Sequence, residues 1–170
     1  MTAAAPRPAM AAVALALIEF HGGDWDSPAH FMSVRWDGDK ATLGGYWTAI
    51  ALDVHPDRYP AVMRGALAEE LAAEPRVPYG LAFQMEGHAV SAATEKERAV
   101  AHSQRRAGNL HKRPDAREVC LAWVADAHGR VWLAEKYRDD GSVREQFWAP
   151  LKPVGAPGAA LRSLALEALR

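Results

Sequence analysis

The chain has 170 residues, of which 49% are hydrophobic and 24% are charged, and its net charge is −1. This length and composition are typical of one globular domain that buries its own core, and they exclude a disordered chain. The near-neutral charge argues against a general polyanion binder, because such proteins are basic overall.

The N-terminal segment is predicted to be a loose leader over residues 1–8, followed by a helix. Met10, Val13, Ala14 and Leu17 fall at helical spacing, and two glycines at positions 22 and 23 end the pattern. The apolar run in this helix is too short to cross a bilayer. We therefore expect a cytoplasmic protein with no membrane partner.

The next elements are a strand, a second extended segment and a helix. Within residues 30–36, Met32, Val34 and Trp36 alternate with Ser33 and Arg35, which predicts a half-buried strand. Residues 42–52 are either a second strand or an irregular return. Met63, Leu67 and Leu71 repeat every four residues and predict a helix that ends at the prolines of residues 75–78.

The C-terminal half contains the clearest strand signals. A core strand is predicted over residues 81–90, and an irregular basic arm follows over residues 91–117. A β-hairpin over residues 117–137 and a further strand at residues 143–148 predict a three-strand meander. A Pro/Gly linker, residues 150–157, then leads to a C-terminal helix.

Consecutive strands without crossover helices between them predict an antiparallel sheet. We expect a single α+β domain over residues 1–170, with about four to five strands, including the C-terminal meander, and helices packed on the sheet.

The single cysteine, Cys120, excludes an intramolecular disulfide and a zinc site built from several cysteines. Because Cys120 lies in an apolar run, residues 119–123, we expect a buried and unreactive thiol. No cofactor or metal ion is predicted.

Catalytic motifs are absent from the sequence. The seven histidines lack the spacing of a structural zinc site, and no serine has the glycine-flanked elbow of hydrolases. A hydrolase-like enzyme with an unrecognised site is one alternative. It would depend on a metal ion or on acid/base chemistry, and its loose candidates are His55, Asp57, Glu86 and His88.

The one local charge imbalance lies in the arm, between residues 95 and 117. This stretch contains seven lysines and arginines and three acidic residues, which gives a local net charge of +4. Phosphate contacts by Lys and Arg do not depend on base sequence. Accessory nucleic-acid binding through Arg105, Arg106, Lys112 and Arg113 is therefore a second hypothesis, and a mobile solvated excursion is the alternative to it.

Two of the six tryptophans, Trp132 and Trp148, lie on adjacent strands of the predicted meander. If their neighbours fill the core, the two rings form an exposed patch, and tryptophan is favoured in binding hot spots. The alternative is that a helix covers both rings. The leading hypothesis is a small non-enzymatic binding or adaptor module that acts through a protein partner.

Residues 23–31, Gly-Asp-Trp-Asp-Ser-Pro-Ala-His-Phe, follow the predicted N-terminal helix. This segment resembles a Gly-Trp-Asp-x-Pro-x-x-Phe stretch in a group of uncharacterised proteins from actinobacteria and their phages. Residues 112–119 and 125–129 are similar to the same group. The resemblance covers about a third of the chain, and it implies neither an activity nor a site.

Overall fold

The computed structural model describes residues 7–23, 25–50, 56–74 and 77–169. Most of the predicted leader and His55 lie outside these ranges. Residues 7 and 8 belong to the first helix, which begins earlier than predicted. The helices are α1 (Arg7–Phe20), α2 (Tyr59–Ala73), α3 (Glu95–Arg106) and α4 (Ala156–Ala168). The strands are β1 (Ala29–Trp36), β2 (Ala41–Ile50), β3 (Gly80–Ala89), β4 (Arg117–Asp126), β5 (Val131–Tyr137) and β6 (Val143–Trp148).

The described strands form one antiparallel sheet in the order β2-β1-β3-β4-β5-β6. The predicted α+β class is confirmed, and so is the meander of β4, β5 and β6. The sheet has six strands instead of the predicted four to five. The additional strand is β2, which pairs with β1 in the segment for which the sequence also allows an irregular return.

Both faces of the sheet are covered by helices. Helices α2 and α4 pack on one face, around Phe31, Phe83 and Trp123. Helix α1 packs on the opposite face, above Ala82 and Val124. Because alternate side chains of β3 and β4 enter different cores, these central strands are apolar over most of their length, as expected for strands buried on both sides.

The basic arm contains a helix, α3, where we predicted irregular structure over residues 91–117. Thr94 accepts a hydrogen bond from the N–H of Glu97, and the Glu97 carboxylate accepts one from the N–H of Thr94. This reciprocal pair is a capping box, and it satisfies two backbone donors at the start of the helix. Gly108, with φ +67°, follows the helix in the left-handed conformation that commonly ends one.

The predicted hairpin turn between β4 and β5 is held by a fully buried carboxylate, that of Asp126. It accepts hydrogen bonds from the N–H groups of His128 and Arg130, at 3.0 and 2.9 Å. The Arg130 side chain also donates to Asp126 at 2.6 Å and to the Tyr79 hydroxyl at 2.8 Å. The Asp-Ala-His-Gly turn is therefore part of the core as well as a connection.

Alanine substitutions at two helical glycines should change the free energy of unfolding in opposite directions. A Cβ on Gly158 of α4 would lie 2.5 Å from the Trp123 ring, whereas a Cβ on Gly65 of α2 would meet no atom within 4 Å. We expect G158A to lower the free energy of unfolding by about 1–3 kcal/mol through overpacking. We expect G65A to raise it by about 1 kcal/mol through helix propensity.

Urea denaturation of the two variants and the wild type measures both effects. Since the two substitutions are chemically identical, G65A is the control for the general effect of alanine in a helix. Equal shifts for the two variants would contradict the close packing of α4 on Trp123.

Candidate functional site

The two tryptophans predicted to form a partner-binding patch lie on opposite faces of the sheet. Trp132 is buried beneath α1 and is only 3% exposed. Trp148 packs against the other core and stacks on Trp123, with ring centroids 5.6 Å apart. The expected exposed patch of Trp132 and Trp148 is therefore wrong, because the sheet alternation separates the rings and a helix covers each face.

The cationic side chains of the arm are partly neutralised by their neighbours. Arg113 donates to both carboxylate oxygens of Asp115, at 2.7 and 2.8 Å. Arg117 forms ion pairs with Asp139 and Asp140. These three ion pairs leave less free positive charge than the sequence count indicates. Arg105 and Arg106 lie in the last turn of α3, with side chains outside the described part, and Lys112 is exposed. Nucleic-acid binding through these residues stays a prediction.

The loose catalytic candidates are distributed over separate elements. Asp57 is exposed in a short 3-10 helix before α2. The His88 ring lies beside His111, with centroids 5.9 Å apart, whereas Glu86 faces the loop after α1. Within residues 7–23, 25–50, 56–74 and 77–169, no three His, Cys, Asp or Glu side chains are grouped so that they could hold a metal ion.

The Glu86 carboxylate holds the loop between α1 and β1 against β3. It accepts hydrogen bonds from His21 Nε2 at 2.8 Å, from the N–H of Asp26 at 2.8 Å and from the N–H of Ser27 at 3.0 Å. The side chains of His21 and Glu86 are 5% and 19% exposed. Hydrogen bonds to a charged acceptor in such a partly desolvated position are the stronger kind. We call residues 21–23 and 25–28, held in this way, the Glu86-bound loop.

A cavity of about 230 Å³ opens beside the Glu86-bound loop, between the ends of β1, β2 and β3 and the start of α2. Its described lining residues are Asp26, Ser27, Ala29, Ile50, Tyr59, Met85 and Glu86. Asp26 has φ +72°, a left-handed conformation that Asp and Asn adopt more readily than other non-glycine residues. The lining combines the apolar side chains of Ala29, Ile50 and Met85 with the polar groups of the other lining residues.

Burial shifts two titratable groups in this region towards their neutral forms. It raises the pKa of the Tyr59 phenol, so the hydroxyl at the cavity keeps its proton at neutral pH. Burial also lowers the pKa of His30 on β1, and the proximity of His21 lowers it further. These two side chains therefore add no charge to this end of the sheet at neutral pH.

A second unusual feature is the turn that follows β6. The N–H of Lys152 bonds to the carbonyl of Ala149 at 3.2 Å, with Pro150 second and Leu151 third in the turn. Leu151 has φ +68° and is 97% exposed. In a type II turn the third position requires positive φ and normally holds glycine. We call residues 149–152 the Leu151 turn.

The Leu151 turn is held in place by Arg162 of α4. The guanidinium donates to the carbonyl of Lys152 at 2.6 Å and to the carbonyl of Ala149 at 3.3 Å. Sequence reasoning assigned these residues to a linker, and proline at the second position was the only signal of a turn. Nothing in the sequence indicated that leucine adopts a left-handed conformation there.

Cys120 is fully buried, as predicted from its apolar neighbours. Burial raises the pKa of its thiol to about 11. The amide of Gln84 lies 3.6 Å from its sulfur. At neutral pH the thiol is thus both protonated and inaccessible, which confirms its structural role.

Comparison with known proteins gives no match for this chain among protein-family models, curated proteins or solved structures. The resemblance to actinobacterial and phage proteins stays a prediction. No helix in the described part of the chain has the length and apolar character needed to cross a membrane.

Replacing Glu86 by alanine should release the Glu86-bound loop. We expect E86A to speed hydrogen exchange at the Asp26 and Ser27 amides, because both lose their acceptor. The free energy of unfolding should fall by about 2 kcal/mol, because the partly buried donors of His21 and Ser27 lose a charged partner. The control is E118A, which breaks an exposed ion pair with Arg138 and should cost less than about 1 kcal/mol. Equal effects of the two variants would contradict this function of Glu86.

Cys120 should be unreactive in the native protein. We expect no reaction with a thiol-specific disulfide reagent at neutral pH, and complete reaction once guanidinium unfolds the chain, because burial blocks both access and ionisation. Following the released chromophore measures both rates. If the native protein reacts as fast as the unfolded chain, the burial of Cys120 of β4 beneath α1 is wrong.

Proposed function

We propose that the protein is a non-enzymatic binding module that acts through a protein partner, and that the partner receives Leu151 in an apolar pocket. The observation that carries the proposal is the combination of two energetically unfavourable features at one residue. Leu151 is an almost fully exposed large apolar side chain, and its backbone is left-handed. Left-handed backbone costs a non-glycine residue about 1–2 kcal/mol.

Strain of this kind persists where the surrounding structure enforces it, and such positions are concentrated at functional sites. Glycine at position 151 would form the same turn without strain and without exposing an apolar side chain. The leucine therefore contributes nothing to folding that explains its presence. Contact with a partner supplies an explanation, because an apolar pocket would bury the side chain on binding.

The Leu151 turn is also well suited to binding because it is rigid. Arg162 fixes two of its carbonyl groups, and the turn closes through its own backbone hydrogen bond. A preorganised contact loses less conformational entropy on association than a flexible one. A single leucine on a fixed turn can therefore act as an anchor for a partner surface.

The surface that leads to the Leu151 turn is the edge strand β6. No other strand in the described residues pairs with its outer side, and Val143, Arg144 and Glu145 are exposed. An unpaired strand edge offers backbone donors and acceptors to a neighbouring chain. The proposed contact surface therefore extends from Leu151 along β6.

Replacing Leu151 by glycine should leave the stability of the protein intact and abolish binding to the partner. L151G removes the backbone strain, so we expect the free energy of unfolding to stay the same or to rise by up to about 1 kcal/mol. The matched control is V77G, which also shortens an exposed aliphatic residue, 56% exposed, but at a position without positive φ. We expect V77G to lower stability by about 0.5–1 kcal/mol, because glycine makes the unfolded chain more flexible.

The same variants test binding. Wild type, V77G and L151G are immobilised and exposed to lysate with and without nuclease. The proposal expects one protein to bind wild type and V77G but not L151G, irrespective of nuclease. Equal recovery by all three variants would reject Leu151 as the anchor. Recovery that nuclease abolishes, and that disappears when Arg105, Arg106, Lys112 and Arg113 are replaced by alanine, would support nucleic-acid binding instead.

A further inference from the structure

The geometry points to a second, independent binding site: the cavity beside the Glu86-bound loop takes a small organic cation, a primary ammonium group on a short apolar chain. The site is formed by the ends of β1, β2 and β3 and the first turn of α2. It lies on different elements from the Leu151 turn and does not depend on the protein-binding function.

The charge of the lining favours a cation. Asp26 and Glu86 both contribute carboxylates, and the described lining residues include no lysine or arginine. One oxygen of Glu86 accepts two hydrogen bonds, whereas the other, Oε2, accepts one from the N–H of Asp26. A carboxylate has about four acceptor positions, so Oε2 retains capacity for an incoming N–H donor.

Asp26 supplies the second carboxylate of the lining. Its N–H group is used in the Glu86-bound loop, but its carboxylate makes no hydrogen bond or ion pair with another described residue. With Glu86 already bonded to the loop, the Asp26 carboxylate adds to the negative charge that a ligand meets at the cavity.

The apolar residues that line the cavity favour a ligand whose ammonium group carries an apolar chain. Ala29 and Ile50 are buried core residues, and Met85 packs against the same core. The protonated Tyr59 hydroxyl offers one further polar contact. Drug-sized ligands occupy pockets of about 300–1,000 Å³, so about 230 Å³ limits the ligand to a smaller molecule.

Other ligand classes fit the site less well. An inorganic or organic anion would meet two carboxylates without a compensating cation in the described lining. A metal ion would need more ligands than two carboxylates on different elements, and the described residues form no such group. A neutral molecule would leave the negative charge of Asp26 uncompensated.

The test uses n-butylammonium as the probe, with butyrate and n-butanol as charge controls of the same chain length. NMR titration of the full chain follows the amides of Asp26, Ser27 and Met85. We expect saturable shifts with n-butylammonium at a Kd of about 1–10 mM, typical of a ligand with few atoms. Butyrate and n-butanol should give no saturable shifts at these amides.

The matched variants are D26N and D37N. Asparagine tolerates the left-handed backbone at position 26, and the unchanged spectrum of the remaining residues verifies the fold. D37N removes the same charge from an exposed turn elsewhere. We expect D26N to weaken n-butylammonium binding about fivefold, with D37N unchanged. Absence of saturation, equal shifts with butyrate, or equal losses in both variants would overturn the inference.

Discussion

The constraint on which the structure depends is that both faces of one antiparallel sheet must be buried. Helix α1 covers one face, and α2 and α4 cover the other. The central strands β3 and β4 therefore direct every second side chain into a different core, and a change in register of one residue would exchange the two cores. Phe83, paired with Phe31 on one side and Trp123 on the other, marks the centre of the arrangement.

Covering both faces leaves few parts of the sheet for binding. The large aromatic side chains are used in packing, as the burial of Trp132 and the stacking of Trp148 on Trp123 show. What stays accessible is the periphery: the outer edge of β6, the Leu151 turn beyond it, and the cavity at the far ends of β1 and β3. The two proposed sites therefore lie at the periphery of the sheet and contact different elements.

The strands and helices with strong periodicity could be predicted from the sequence, and contacts between distant residues could not. The strand signal of β1 and the hairpin signal at Asp126 depend on neighbours in the chain, and both elements are confirmed. The predicted half-burial of β1 is wrong, because helices cover both faces of the sheet and Ser33 is fully buried. Helix α3 lacks an apolar stripe, so its capping box at Thr94 was its only signal and was overlooked. The partners of Glu86 lie about 60 residues away, and no local pattern specifies them.

The proposed binding function depends most on the left-handed backbone of Leu151, because backbone strain at an exposed leucine is the observation that supports a partner. The intraresidue NOE between its amide proton and its Hα tests this directly, since positive φ brings these two protons closer together than helical or extended backbone does. A strong NOE, comparable with those of the positive-φ glycines Gly129 and Gly141, is the result that the structure predicts. A weak NOE, like those of the residues in β6, would show a relaxed turn and would remove the basis for Leu151 as a binding anchor.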